Sequence, residues 1–149
     1  MRATCTGAWR SGPIEEGDTM DKRVREFLQR NHRAIMATVK ADGSPHVARI
    51  GVGLVDGRLW SSGTQTRVRT RNLRRDPRAA LAVLDDGNSW AWLGLETRVT
   101  ILDGPDAVEQ NLALYRALAG EPDDLDEYRR AMVAEQRLIY EFEILHAYA

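Results

Sequence analysis

The stretch RAIMATVKADGSPHVARIGVGLVDGRLWSS, residues 33–62, contains three runs rich in apolar and β-branched residues, separated by two turn signals. Such runs predict β-strands, here at Arg33–Lys40, Pro45–Val55 and Arg58–Ser62. The turn signals are ADGS at 41–44 and Asp-Gly at 56–57, and connections this short join antiparallel neighbours. The stretch therefore predicts an antiparallel meander and disfavours a parallel sheet of βαβ units.

The rest of the chain adds strands and helices to this meander. Further strands are predicted at Arg78–Asp85, at Ser89–Asp103 and from Arg137 to the end of the chain. Helices are predicted at Asp21–Asn31, in the arginine-rich segment after Thr66, between Pro105 and Gly120, and at Asp124–Gln136. About six strands joined mainly by tight turns favour a small β-barrel decorated with helices. Gly51 and Gly53 weaken the second strand, as is typical where a ligand or another backbone approaches closely.

Length and composition indicate one ordinary globular domain. The chain has 149 residues and a formal net charge of −1, so no overall positive field attracts nucleic acid. Its single cysteine, Cys5, excludes an intrachain disulfide and favours a reducing, cytoplasmic setting. Residues 1–19 lack a signal-peptide core and hydrophobic periodicity, and we interpret them as a tail before a cofactor-binding domain at 20–149.

The most unusual segment is RVRTRNLRRDPR, from Arg67 to Arg78, in which six of twelve residues are arginine. With Thr66 as N-cap, Arg67 and Arg69 would lie in the first helical turn, where the helix dipole repels cations. A bound phosphate would reverse that cost, because free backbone N–H groups and guanidinium groups both bind anions. The later arginines of the segment are expected to be solvated or paired with Asp76, Asp85 and Asp86.

Other functional classes lack their signals. The three histidines, His32, His46 and His146, are far apart and have no short-spaced partners, so no metal site is predicted. The basic segment is too narrow, and too far from aromatic residues, for a nucleic-acid surface. No nucleophile elbow or phosphate-binding P-loop occurs. Catalysis would therefore depend on a bound cofactor.

Residues 38–86, from TVKADGSPHV through RTRNLRRDPR to VLDD, resemble a known family. It is the pyridoxamine-5′-phosphate-oxidase-like superfamily of flavin and deazaflavin oxidoreductases, and the similarity extends over roughly residues 22–148. The chain is most similar to the actinobacterial group that uses coenzyme F420 and includes biliverdin reductases. The chain ends at LHAYA without the C-terminal extension of the pyridoxamine oxidases, so that reaction is not expected.

This resemblance implies a mainly β protein with helices, a split β-barrel of six antiparallel strands with Greek-key-type topology, assembled as a homodimer. It implies an F420H2-dependent reductase that transfers hydride from C5 of the deazaflavin to an unsaturated small molecule, biliverdin-like or enone-type. Two alternatives remain open: an FMN-binding flavin oxidoreductase of the same fold, and a non-catalytic F420-binding protein. No membrane and no nucleic-acid partner is implied.

The resemblance also implies positions for the cofactor, but no catalytic acid or base. The ring and its ribityl-type chain would lie along His46, Val47, Ala48, Arg49 and Gly51. The phosphate pocket would be lined by Ser61, Ser62, Gly63 and Thr64, with the phosphate held by Arg67 and Arg69 and the turn buttressed by Asn72. The family commonly has lysine at the position of Arg69. Trp90 and Trp92 would lie either near the partner's cofactor or in the barrel core and dimer interface.

Overall fold

The computed structural model describes residues 20–149, so the predicted tail at 1–19, with Cys5, lies outside the described residues. The helices of the described part are α1 (Lys22–Arg30), α2 (Val68–Arg75), α3 (Ala107–Ala119) and α4 (Leu125–Ala134). Its strands are β1 (Arg33–Val39), β2 (Pro45–Gly51), β3 (Gly53–Val55), β4 (Arg58–Thr64), β5 (Arg78–Leu84), β6 (Trp92–Leu102) and β7 (Arg137–Tyr148). Each predicted helix and strand is confirmed in type, but the strands of this part number seven instead of six.

The additional strand arises because the predicted strand Pro45–Val55 is broken at Val52. Val52 is fully buried, and its N–H donates to the carbonyl of His32 at 2.8 Å. At this contact the chain turns towards the core. The strands on either side of Val52, β2 and β3, therefore lie in different parts of the sheet.

All strand pairs are antiparallel, in the order β2-β1-β5-β6-β7-β4-β3. The predicted meander is therefore wrong in one respect: β4 pairs with β3 and β7, not with β2. Since β2 and β3 lie at opposite ends of this order but are joined through Val52 alone, the chain itself curls the sheet into a half-barrel. The inward-facing side chains fill its core, and the largest fully buried ones include Tyr140, Met36, Leu81 and Leu95.

Helices α1 and α3 begin and end, respectively, at residues that the sequence predicts. The Asp21 carboxylate caps α1 by accepting the N–H of Val24 at 2.9 Å, which stabilises such a helix by about 1 kcal/mol. Helix α3 ends at Gly120, whose φ of 81° suits glycine. The side of α3 that carries Leu118 packs on Gly53, where a Cβ would lie 2.9 Å from a Leu118 methyl group. The close approach expected at Gly53 is thus made by the protein's own helix.

Gly63 is required for a similar reason, because a Cβ there would overlap the ring of Tyr140. We expect Gly63→Ala to lower the free energy of unfolding by about 1–3 kcal/mol, the usual cost of overpacking a core. Chemical denaturation would measure it. The matched control is Gly104→Ala, since a Cβ at Gly104 meets no atom within 4 Å. Equal stability of the two variants would contradict this prediction.

The outer surface of the sheet, formed by the outward-pointing residues of β2, β1, β5, β6 and β7, combines exposed apolar and charged residues. Its exposed large hydrophobic residues are Ile35, Val47, Leu84, Trp92 and Leu145. We call this surface the outer sheet face. No helix within residues 20–149 has the length and hydropathy needed to cross a membrane.

Candidate functional site

The half-barrel has an opening between β2 and β4. The pairing of β3 with β4 ends at Gly53, which lies opposite Trp60. The residues that follow Trp60 in β4 pair with β7 on one side and with no strand on the other. Strand β2 is an edge strand of the sheet, paired only with β1. One hydrogen bond spans the two edges, from the Ser61 hydroxyl to the carbonyl of Gly51 at 2.6 Å. We call this opening, with the start of α2 that follows β4, the seam.

Helix α2 begins without a capping side chain. The predicted N-cap, Thr66, is wrong: the N-cap is Arg67, which has extended backbone dihedrals and no side-chain capping bond. The reason is a tight turn in which the Arg67 N–H bonds to the carbonyl of Thr64, so the helix begins one residue later. Arg69 therefore lies in the first turn of α2, and Arg67 lies immediately before the helix. The first turn contains no acidic residue, and while the N–H groups of Arg67 and Thr70 donate to backbone carbonyls, those of Val68 and Arg69 and the positive dipole remain available to an anion.

Two buried side-chain polar atoms within residues 20–149 have no hydrogen-bond partner: Nε of Arg69 and Nδ1 of His46. Unsatisfied buried groups cost about 1–3 kcal/mol each, more when charged, so such atoms are candidates for contact with a ligand or water. Both residues were selected from the sequence as cofactor contacts. Arg67 is exposed and has no ion pair within the described residues. The donors at the start of α2 thus fit a phosphate group.

Two later arginines of the segment, Arg74 in α2 and Arg78 at the start of β5, are engaged by protein groups. Arg74 donates to Gln65 at 2.6 Å and to Asp103 at 2.9 Å, and Arg78 pairs with Asp76 at 2.7 Å. Hydrogen bonds from Arg78 hold the pKa of Asp76 at about 2, so this carboxylate is charged near neutral pH and the pair persists. These two arginines are therefore less available to a ligand than Arg67 and Arg69.

The acids expected to pair with this segment are only partly confirmed. Asp86 pairs with Arg33 at 2.6 Å, and Asp85 accepts the backbone N–H of Gly87 at 2.8 Å. They lie beyond the far end of β5 from Arg78, and a strand of that length separates its ends by about 20 Å. Asp103, from the end of β6, takes their place beside α2.

Asn72 fastens α2 to the barrel, as its predicted buttressing role requires. It is buried, and its amide donates to the hydroxyl of Thr38 in β1 at 3.1 Å. Its carbonyl oxygen accepts a hydrogen bond from Arg75 at 3.0 Å. The side-chain amide therefore serves the geometry of the helix, and its contacts are with the protein.

The predicted phosphate pocket in β4 is also largely committed to internal contacts. Ser61 is bonded to Gly51 as described, and the Ser62 hydroxyl donates to Asn111 of α3 at 2.5 Å. Thr64 is buried, and its backbone carbonyl accepts the hydroxyl of Thr70 at 2.6 Å. These residues shape the wall of the seam, and the hydroxyl protons of Ser61 and Ser62 are already donated to protein groups.

The predicted ring contacts in β2 are divided between two faces of the sheet. His46 and Ala48 point inward, whereas Val47, Arg49 and Gly51 point outward. Side chains of consecutive residues in a strand cannot share one ligand face. An edge strand, however, leaves half of its backbone N–H and C=O groups free, and these suit the expected backbone contacts. The other histidines follow the sequence interpretation: His32 bonds to the carbonyl of Val52 at 3.1 Å, and the exposed His146 stacks on Tyr148.

Trp90 and Trp92 do not belong to the barrel core. Trp90 precedes β6 and is 76% exposed, and Trp92 begins the strand and is 39% exposed. The Trp92 ring makes an edge-to-face contact with Tyr148, at a centroid distance of 5.8 Å. The core interpretation is thus wrong for both, and the interface interpretation stays a prediction.

A cavity of about 340 Å³ opens on the outer sheet face beside the start of β2. Its lining is mainly small or aliphatic, and it includes Ala37, Val39, Pro45, Ala80 and Leu145. Apolar clefts of roughly this size are typical of small-molecule sites. Within residues 20–149, no three His, Cys, Asp or Glu side chains are grouped so as to hold a metal ion.

Sequence reasoning missed two buried residues of the seam, Thr70 and Tyr140. Their hydroxyl groups are hydrogen-bonded to each other, directly behind the start of α2. A buried hydroxyl is visible in the sequence only as a polar residue within an apolar pattern, and its partner, 70 positions away, is set by the fold.

Together these elements define an antiparallel split barrel in which a basic helix start without a capping side chain lies at the seam. The sequence pattern of the family described as pyridoxamine 5′-phosphate oxidase matches residues 20–149. The chain belongs to this family.

Known relatives agree with this assignment. An F420H2-dependent biliverdin reductase of Mycobacterium tuberculosis is 33% identical over 82 residues, which are 55% of this chain and 59% of that protein. A crystal structure of a conserved hypothetical protein from the same species has a TM-score of 0.71 at 20% identity, covering 87% of this chain and 83% of the other. A structure described as an F420 reductase has a TM-score of 0.67 at 22% identity, covering 90% and 98%. At these identities the two structures establish the fold.

Proposed function

We propose that this protein is an F420H2-dependent reductase of small unsaturated molecules. The observation that carries the proposal is the buried, unpartnered Nε of Arg69 in the first turn of an uncapped helix. The oxidoreductase family supports the reaction class, and the sequence similarity to an F420H2-dependent biliverdin reductase supports this cofactor. Since the similar region spans little more than half of either protein, the acceptor is proposed only as a class, biliverdin-like or enone-type.

The phosphate of the cofactor would be held by Arg67, Arg69 and the first N–H groups of α2. The guanidinium of Arg69 offers a fork of donors that matches two phosphate oxygens, and the helix dipole adds favourable charge. The buttress from Asn72 keeps this turn in place. Ser61, Ser62, Gly63 and Thr64 would form the wall of the pocket, mainly through backbone groups, because the serine hydroxyl protons are already donated.

The planar ring system would lie along β2. The free backbone groups of this edge strand would fix its orientation, and Nδ1 of His46 would gain a partner. Pro45 connects β2 with the apolar cavity on the outer sheet face, which would exclude water from the reacting atoms. Bound F420H2 supplies hydride from C5 to the acceptor, which also takes up one proton and is thereby reduced by two electrons. The protein's contribution is to bind, orient and desolvate.

We also propose that two copies associate through the outer sheet face. Contiguous exposed apolar residues favour a partner, and the same face carries charges of both signs. Arg49, Arg98, Glu96 and Glu143 are exposed, and none has an ion pair within residues 20–149. Such a mixed face is self-complementary about a two-fold axis, where each residue's partner lies on the other copy. The dimer would cover the cavity and complete the cofactor site.

FMN is the main alternative cofactor, because the same phosphate site would serve it. A second alternative is a protein that binds F420 without turning it over. The test is to incubate purified protein with F420H2, and in parallel with reduced FMN, together with a panel of biliverdin-like and enone-type acceptors, following oxidation of each cofactor by absorbance. Acceptor-dependent oxidation is the expected result. Tight F420 binding without turnover of any acceptor would instead favour the non-catalytic protein, and turnover with reduced FMN alone would favour the flavin enzyme.

A further inference from the structure

Directly behind the start of α2 lies a buried chain of hydroxyl groups. Tyr140 and Thr70 are both completely buried, and their hydroxyl groups are hydrogen-bonded to each other. Thr70 in turn donates to the backbone carbonyl of Thr64 at 2.6 Å. We propose that Tyr140 is a positioning residue for the phosphate site, holding the first turn of α2 so that Arg69 faces the seam. This inference rests on the function proposed above.

The direction of the chain follows from counting protons. The single hydroxyl proton of Thr70 is directed to the Thr64 carbonyl, so the bond between the two hydroxyls must be donated by Tyr140. The chain therefore runs from β7 through the third residue of α2 to the end of β4. It connects the two segments between which the turn at Arg67 is formed.

The surrounding residues accommodate this tyrosine specifically. Tyr140 lies opposite Ser61 in the β4–β7 register, and its ring covers Gly63, where any Cβ would collide with it. Phe142, two residues further along β7, is buried without a hydroxyl group. An aromatic ring alone can thus fill the core at a neighbouring position of β7. The additional hydroxyl of Tyr140 bonds to Thr70 of α2. Because Thr70 directly follows Arg69 in the helix, a shift of Thr70 shifts the guanidinium that would bind phosphate.

The test separates phosphate binding from binding of the ring. Affinities of FMN and riboflavin, and of F420 and its phosphate-free deazaflavin chromophore, are measured by fluorescence titration for the wild type and for Tyr140→Phe. We expect Tyr140→Phe to weaken the phosphate-bearing ligands about three- to tenfold, which corresponds to one hydrogen bond. The affinity of the phosphate-free ligands should not change.

Tyr128→Phe is the matched control. The Tyr128 hydroxyl also donates to a backbone carbonyl, that of Asn111 in α3 at 3.0 Å, but the residue lies in α4 and belongs to neither the hydroxyl chain nor the proposed cofactor site. Its preference for phosphate-bearing ligands should equal that of the wild type. Thr70→Ser retains the relay hydroxyl and should keep the preference, whereas Thr70→Val should lose it. The Thr70 pair provides the same comparison if Tyr140→Phe does not fold.

The positioning role would be overturned if Tyr140→Phe and Thr70→Val kept the wild-type ratio of affinities for phosphate-bearing and phosphate-free ligands. An equal loss of affinity for both kinds of ligand is one such result. In that case a wild-type preference for the phosphate-bearing ligand would leave the proposed function standing. A wild-type protein without any such preference would overturn both.

Discussion

Replacing Arg69 with Ala is expected to weaken binding of the phosphate-bearing cofactor by about ten- to hundredfold. The variant loses charge-assisted hydrogen bonds worth roughly 1.5–3 kcal/mol, and about 1.4 kcal/mol corresponds to one decade of affinity. Arg67→Ala should act in the same direction, towards the lower end of that range because Arg67 is exposed. Titration of cofactor fluorescence would measure both. Stability of the ligand-free protein should hold or rise slightly, since a cation leaves the positive end of a helix.

The controls for this prediction lie on the same helix. Arg74 is held by Gln65 and Asp103, and Arg75 donates to the Asn72 side chain at 3.0 Å and to the Val39 carbonyl at 3.4 Å, so Arg74→Ala and Arg75→Ala should change affinity little. Added salt should weaken cofactor binding in the wild type, because part of the attraction is Coulombic. If all four alanine variants lost affinity equally, the segment would be a diffuse basic surface and the phosphate site would be refuted.

Val47→Asp is expected to dissociate the proposed dimer and remove most cofactor affinity. Val47 is 65% exposed on the outer sheet face, so the single chain can accommodate the charge. In a two-fold interface the substitution would bury two carboxylates in an apolar contact. We expect a dimer weakened by at least about hundredfold, equivalent to about 3 kcal/mol. Sedimentation across a dilution series would detect it.

Val133→Asp is the matched control for the dimer. Val133 is 67% exposed on α4, away from the outer sheet face, so dimerisation and cofactor affinity should match those of the wild type. A Val47→Asp protein that remains dimeric would contradict the proposed interface. A monomer that binds cofactor with full affinity would show that the site is complete within one chain.

Local signals explain which parts of the fold were predictable. The turns at 41–44 and 56–57 and the cap at Asp21 act over a few residues, and the strand and helix ends that they set were predicted to within about one residue. The pairing of β4 with β7 was not, because its partners, such as Ser61 and Tyr140, are separated by most of the chain. The break at Val52 likewise depends on a long-range bond, to His32. No local pattern encodes these contacts.

The candidate site likewise contains residues that local signals reveal and residues whose roles depend on long-range contacts. Arg67 and Arg69 could be selected because arginines at a helix start contradict local electrostatics, and that conflict is visible in the sequence. The roles of Ser61 and Ser62 could not, because their hydroxyl groups are bonded to Gly51 and Asn111 from other elements. Composition indicates that a hydroxyl is present, but only the fold determines where it donates its proton.

The choice of cofactor is the central claim, and parallel equilibrium titration of the purified protein with F420 and with FMN tests it most directly. The account predicts that F420 saturates the protein and binds at least about tenfold more tightly than FMN, a difference of about 1.4 kcal/mol. Arg69→Ala should abolish most of the affinity for F420 in the same experiment. Tighter binding of FMN, or binding of neither cofactor, would contradict the account.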